Sequence, residues 1–334
     1  MKKINLNALL IVVAAIAVAC GIYFIFWWHN EIRVAGGRTS LPEDAELSPL
    51  TGLPCQKIER PIAVMMASDP VARPLSGIGQ AAMVIEMPVT DQPNQVTRMM
   101  AVFQCAEPQE IGSIRSAREP FIPLAQGLTA LYAHWGGEHG ALEQLNAGVI
   151  DNIDALKYDG STYYRKPEIR KPHNGFTTLA LLRDRVKSLG DSLTNTFTGY
   201  THRSAGNQRN ISNIIETITI PYDEPYDVRW QYDRATKLYK RFRNNTPETD
   251  KITGEQILTA NVIVLETTAQ PLGDQYLAVK VIGQGEATLY QEGARLNGTW
   301  KKEDAASILR FVDSQNRDIA LVPGTIWIEY TLTP

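Results

Sequence analysis

The sequence predicts an α/β or α+β N-terminal domain followed by a smaller β-rich, barrel- or sandwich-like C-terminal domain, behind one N-terminal transmembrane helix. Three observations predict it. Residues 4–28 carry no charged side chain, and residues 50–205 mix apolar runs of strand length with stretches of helical spacing. After about Gly206 the chain turns to short β-branched segments divided by turn signals. Intermixed strands and helices point to the first architecture, and strands without helices to the second.

The 4–28 run is long enough, at about 1.5 Å per residue, to cross a hydrocarbon core of about 30 Å. Lys2 and Lys3 precede it and Tyr23, Trp27 and Trp28 close it. That order places the N-terminus in the cytoplasm and the remainder outside, with amphipathic rings at the far headgroups. Ala17-Val18-Ala19-Cys20-Gly21 offers a second route, in which Cys20 is lipidated and becomes the new N-terminus. The apolar stretch continues past Cys20 through Ile22–Trp28, which favours the transmembrane helix over the lipid tether. Either route leaves the protein on the cytoplasmic membrane. Residues 29–49 are polar, contain Gly36-Gly37, and read as a linker.

In the first domain, 60–66, 82–87, 97–103 and 132–135 read as strands. Helices are expected over 119–131, where Pro120 sits in the first turn, and over 140–147 and 177–189. The second domain, 206–334, is expected to carry strands at 214–220, 228–232, 237–242, 261–267, 276–282, 286–291, 294–301, 309–312 and 325–331. Asp233-Arg234-Ala235-Thr236, Asn297-Gly298 and Pro323-Gly324 supply turn signals.

Composition narrows the function classes. Hydrophobic residues make up 44% and charged residues 21%, which suits a folded domain, and the net charge of −3 gives no basic field for nucleic acid. No Walker loop, dinucleotide fingerprint or Gly-x-Ser-x-Gly elbow is present, so no cofactor is expected and no nucleophile is assigned. With Cys20 in the anchor, Cys55 and Cys105 either pair, as an oxidising compartment allows, or remain free thiols.

Four polar segments exceed what a core requires. Arg115, Ser116 and Arg118 stand at a helix entry, where two guanidiniums and backbone amides suit a carboxylate or phosphate. Salt bridges to Glu86 or Glu110 are the alternative. His134, Gly136 and Gly137, followed by Glu138-His139, form a glycine loop whose amides suit an anion. No metal site is expected there, because histidines five apart do not share a helix face. His173 and Asn174 follow Pro172, and His173 has the acid/base range of a general catalyst or the geometry of a structural imidazole. Finally, Glu86 and Arg98 close adjacent apolar runs and are placed to pair.

Several ordered motifs resemble a known family. Ser48-Pro49-Leu50-Thr51-Gly52-Leu53-Pro54, Ile111-Gly112-Ser113-Ile114-Arg115-Ser116-Ala117-Arg118, His134-Trp135-Gly136-Gly137 and Arg170-Lys171-Pro172-His173-Asn174 are similar to the YerB-like bacterial lipoprotein family. Gly298-Thr299-Trp300-Lys301-Lys302 and Leu321-Val322-Pro323-Gly324-Thr325-Ile326-Trp327 resemble its C-terminal domain. Both domains of that family are of unknown function (domain of unknown function 3048), so the resemblance implies location and architecture but no reaction. Arg98, Arg115, Arg118, His134 and His173 match the pattern, whereas Ser68-Asp69, Asn94-Gln95 and Glu138-His139 depart from it.

The sequence thus predicts a single-pass extracytoplasmic envelope protein. Its expected site holds an anionic or glycan cell-wall ligand through Arg98, Arg115, Ser116, Arg118, His134, Gly136, Gly137 and Asn174. Two alternatives stand beside it: a cell-wall polymer hydrolase or transferase using His173 and Glu86, and a scaffold docking partner proteins through the β-rich half.

Overall fold

The computed structural model describes residues 45–91, 95–204, 213–273 and 275–333. The expected anchor at 4–28, Cys20 and the linker up to residue 44 lie outside the described residues. No helix among the described residues is long and apolar enough to cross a membrane.

Ten strands form one mixed sheet. In the first half these are β1 (Ile62–Ala67), β2 (Met83–Pro88), β3 (Thr97–Phe103), β4 (Leu131–His134) and β5 (Asn152–Asp154). Next come β6 (Thr217–Ile220), β7 (Val228–Asp233) and β8 (Leu238–Arg243), which build a separate sheet, then β9 (Asn261–Thr267). A hairpin, β10 (Ala269–Leu272) and β11 (Tyr276–Val279), stands apart. Then follow β12 (Gly283–Gln291), β13 (Ala294–Lys302), β14 (Arg310–Val312) and β15 (Ile326–Leu332). The order across the large sheet is β14-β13-β12-β9-β15-β2-β3-β1-β4-β5. The last strand, β15, lies between β9 and β2 and is parallel to both.

Both faces of this sheet are covered, which explains why β1 and β3 read as unbroken apolar runs rather than alternating ones. Ala63, Met65, Met83, Ile85, Met100 and Val102 pack with helix α1 (Phe121–Gly127) and helix α2 (His139–Asn146). Val64, Met66, Val84, Met99 and Ala101 pack instead with Ile218, Val228, Trp230 and Tyr239 of the second sheet. Helix α3 (Ala155–Tyr158) and helix α4 (Leu179–Leu189) complete the described helices of the first half. Thr178 caps α4 through its hydroxyl, and Gly190 ends it in a left-handed conformation, as capping chemistry requires.

Three expectations are corrected. The helix expected over 119–131 ends at Gly127, because the chain reverses at Thr129 (φ +50) and Leu131 enters β4. Asn297-Gly298 is not a turn but mid-strand in β13. A Cβ on Gly298 would stand 2.5 Å from the Val312 carbonyl oxygen, so glycine is needed for close strand approach. The β12–β13 reversal falls at Glu292 (φ +51) and Gly293 (φ +84) instead. The second half is also no closed barrel: its strands extend the sheet of the first half, and β6–β8 lie as a second layer over it.

The two layers meet at a buried ion network. Glu86 on β2 and Glu329 on β15 are register neighbours, both with 0% exposure. Arg241 on β8 donates to Glu86, Glu329 and Glu248, and Arg243 donates to Glu86 (2.7 Å) and Glu248 (3.1 Å). Thr97 also donates to Glu86, while Tyr222 and Trp230 donate to Glu329 (3.1 Å each). Trp230 and Trp327 flank the Arg241 guanidinium at 4.8 and 4.0 Å. Burial pushes Glu248 up, but Arg243 and Arg241 outweigh it and hold the carboxyl at about 2. Its contribution to stability is therefore present above the usual carboxylate range and lost as pH falls from about 5 toward 2.

Cys55 and Cys105 are joined in a disulfide spanning 50 residues. For such a loop the chain-entropy model gives roughly 4 kcal/mol. Replacing both cysteines by serine is expected to lower unfolding free energy by that order in a denaturant titration. Arg241→Met is expected to cost about 3–5 kcal/mol, since it strands buried carboxylates, and adding Glu329→Gln should recover part of the loss. Thermal unfolding of the single and double variants checks this. Equal stability of Arg241→Met and wild type would refute the role assigned to the network.

Candidate functional site

A cationic cluster gathers at the end of the central sheet where β1 loses β4 along one edge while keeping β3 along the other. β4 pairs only with Ile62–Val64, and beyond that point residues 113–115 take over the exposed edge of β1. The Ala67 amide donates to Ser113 O (3.0 Å) and the Arg115 amide to Met65 O (2.9 Å). Trp135, just after β4, donates to Arg115 O (3.0 Å), and Ile114 to Gly175 O (2.9 Å). Arg115 and Arg118 are thereby set on a braced segment beside the residues that follow β1 and β3.

Arg98, second in β3, is 3% exposed and donates from Nη1 to Asp69 Oδ2 at 3.1 Å. Arg115 Nε lies 4.0 Å from the same oxygen, and its Nη1 donates to Pro172 O at 3.3 Å. Arg118 donates to Ala117 O (2.8 Å), stands 3.8 Å from Glu138 Oε2 and lies 4.5 Å over the Tyr276 ring. His173, 8% exposed, follows Pro172. The Nε atoms of Arg98, Arg115 and Arg118 and Nδ1 of His173 are buried without a hydrogen-bond partner in the protein. Three unpaired guanidinium donors and an unpaired imidazole nitrogen in one region are unusual, because a buried unpaired polar group costs about 1–3 kcal/mol.

The electrostatics follow from this crowding. Burial, then the neighbouring Arg98 charge, lowers Arg115 to about 10 and also depresses Arg118. Burial likewise depresses His173, with Arg115 and Arg98 adding to it and Asp69 opposing. Burial alone would raise Asp69, but Arg98 and Arg115 hold it below the ordinary carboxylate value. Three guanidiniums and an imidazole are therefore balanced by Asp69 and, more distantly, Glu138.

Of the residues singled out from sequence, Arg98, Arg115, Arg118 and His173 are brought within electrostatic reach of one another. Ser116 is half-buried between the two arginines. The others serve the framework. His134 is 1% exposed, with Nδ1 on Gly136 O (2.8 Å) and Nε2 on Asn152 Oδ1 (3.2 Å), so both ring nitrogens are used. The Gly136 amide is taken by the protein's own Asp154 Oδ1 (2.9 Å), and Gly137 packs close to Ala117 and Leu142. Asn174 accepts from Arg165 (3.2 Å), whose guanidinium stacks on Trp135 at 4.1 Å.

Glu86 is corrected on both counts. It does not pair with Arg98, because the period of two along a strand puts them on opposite faces. Glu86 shares the face of Val84 toward the second sheet, and Arg98 shares that of Met100 and Val102 toward the helices. Its carboxylate is fully buried and committed to Thr97, Arg241 and Arg243, so Glu86 is not available to His173 as an acid/base partner. Glu110 pairs with Lys166, Ser76 and Tyr164 and so does not neutralise the arginines. Asp69 supplies the counter-charge, and a carboxylate just past a fully apolar strand is the signal for it in the chain. Nothing local connects Tyr276 to Arg118, 158 positions away, so their stacking is not legible from the chain.

The described chain is a two-domain protein, mostly β with few helices, carrying a buried cationic cluster at the end of its central sheet. It belongs to the DUF3048 family: residues 50–192 match the domain described as "Protein of unknown function (DUF3048) N-terminal domain" and residues 218–328 its C-terminal domain. The chain is 28% identical over 330 residues to "Putative lipoprotein YerB" of Bacillus subtilis strain 168, covering 92% of this chain and 93% of the relative. The crystal structure of the YerB protein from Bacillus subtilis superposes with a TM-score of 0.77 at 27% identity, over 86% of this chain and 96% of that one.

Asp69→Asn removes the carboxylate that Arg98 and Arg115 share. It is expected to lower stability by about 2 kcal/mol in sulfate-free buffer, with sulfate restoring part of the loss. Thermal melts with and without sulfate check this.

Proposed function

We propose that the protein is a membrane-anchored, extracytoplasmic envelope protein whose Arg98–Arg115–Arg118–His173 cluster binds an anionic group of a cell-wall ligand. The observation that supports this reading is the set of three buried guanidinium donors and one buried imidazole nitrogen that no protein atom satisfies. An oxyanion supplies several acceptors and the compensating charge at once, and arginine's planar fork suits carboxylate and phosphate alike.

The location is supported separately. The Cys55–Cys105 disulfide fits an oxidising exterior. The word lipoprotein in the name of the Bacillus subtilis relative favours anchorage through an acylated Cys20 over a single-pass helix across 4–28. Intact-mass measurement of the membrane-extracted protein decides between them, since processing at Cys20 removes the first nineteen residues. A docking scaffold is less well supported. Among the described residues, only Leu258 and Ile282 of the exposed large apolar side chains fall in the second half.

Two measurements test the anion site. Calorimetric titration of the full-length chain with sulfate or phosphate should show binding that Arg115→Ala weakens roughly tenfold or more, as expected for loss of about 1.5–3 kcal/mol of charge-assisted bonding. No binding to the wild type, or no effect of the substitution, would sink the reading. The second is pH dependence with sulfate, which does not titrate in this range. A bound dianion raises the His173 pKa from its depressed value, so affinity should rise as pH falls below the ordinary imidazole value of about 6.5. His173→Gln should flatten that profile.

A further inference from the structure

A cavity of about 500 Å³ opens beside Arg118. One wall is Glu119, Glu138, His139 and Gly140 at the start of α2; the other is Leu272 and Tyr276 of the β10–β11 hairpin. The hairpin is pinned to the end of β2, since Leu277 donates to Val89 O at 3.1 Å and Tyr276 bridges to Thr90. The cavity is therefore built jointly by segments from the two family domains.

Its chemistry is opposite to that of the arginine cluster. Glu138 is 8% exposed, its Oε1 accepts from the Glu119 amide (2.6 Å), and its Oε2 is buried without a hydrogen-bond partner. Glu119 accepts from Gln144 at 3.3 Å and approaches Gly140 so closely that a Cβ there would lie 1.8 Å from its Oε1. Two carboxylates beside an aromatic ring and an aliphatic side chain repel an anion. They suit a ring with hydroxyl donors at its edge and C–H groups on its face. Burial raises Glu138 from the ordinary carboxylate value and outweighs the Glu119 amide and the Arg118 charge, which oppose it. Arg118 joins the two environments: it stacks on Tyr276, stands against Glu138 and lies in the field of Arg98.

We infer that this cavity takes a sugar ring of the same ligand whose anionic group rests on the arginines, so that the ligand class is a phosphorylated or carboxylated glycan. The inference rests on the anion-site reading and adds the neutral, hydroxylated half. Its size fits, because small-molecule sites commonly enclose about 300–1,000 Å³.

The test compares inorganic phosphate, N-acetylglucosamine and N-acetylglucosamine 6-phosphate on the full-length chain by calorimetry. The sugar phosphate should bind the wild type at least about tenfold more tightly than phosphate, a factor worth about 1.4 kcal/mol. Tyr276→Ala should bring that ratio toward one. Gly140→Ala should do the same by displacing the Glu119 carboxylate, and alanine is well tolerated within a helix. A sugar phosphate that binds no better than phosphate, or variants that keep the full ratio, would overturn the inference and leave the anion site standing. Failure of phosphate itself to bind the wild type would overturn the anion site, and the linked ligand with it.

Discussion

The rest of the structure depends on the encounter of Arg241 and Arg243 with three buried carboxylates. Glu86 and Glu329 lie side by side on parallel strands in the middle of a sheet, where two unpaired negative charges would be prohibitive. They are tolerable only because a second layer of strands delivers two guanidiniums to that spot, one clasped between Trp230 and Trp327. Removing either layer exposes uncompensated charge, so the network binds the β6–β8 sheet to the central sheet in one register. A well-packed apolar cluster would hold the layers as strongly, but would specify their relative placement less sharply.

That placement sets the functional end of the molecule. With β15 inserted between β9 and β2, strands from both family domains share one sheet, and the β10–β11 hairpin is carried onto the end of β2. Tyr276 reaches Arg118 for this reason, and Arg118 in turn lies between the arginine cluster and the acidic cavity. Arg98 leaves its strand on the face opposite Thr97 and Glu86, while Tyr226 lies in the field of both Arg98 and Arg243. The same protein thus keeps one group of arginines fully neutralised for structure and another under-neutralised for binding. Asp69 marks the difference, a single carboxylate shared by Arg98 and Arg115 where Arg241 alone has three.

Much of the strand content was legible because local patterns decide it. Thr97–Phe103 and Asn261–Thr267 were bounded correctly from apolar, β-branched composition alone. Helix α4 was legible from its spacing over 177–189, and the structure adds Thr178 and Gly190 as its caps. The errors arose where a local signal was overridden. Asn297-Gly298 has the composition of a turn, but its glycine answers to a neighbouring strand that the local pattern does not reveal. Glu86 and Arg98 ended adjacent apolar runs, yet strand pairing put them on opposite faces.

By itself the sequence determined most of the strands and helices and the family resemblance, and its longer set of candidates contained the four cationic or imidazole side chains that gather at one site. Each is carried by short-range information: hydrophobic period, turn residues, or ordered motifs. The partners of those side chains were decided only by tertiary structure. Asp69 for Arg98, Tyr276 for Arg118, and Arg241 for Glu86 are separated by 29, 158 and 155 positions. Which charge is satisfied and which is left to bind depends on how distant strands are ordered in the sheet. That order is fixed by burial and by the ion network, not by any residue's neighbours along the chain.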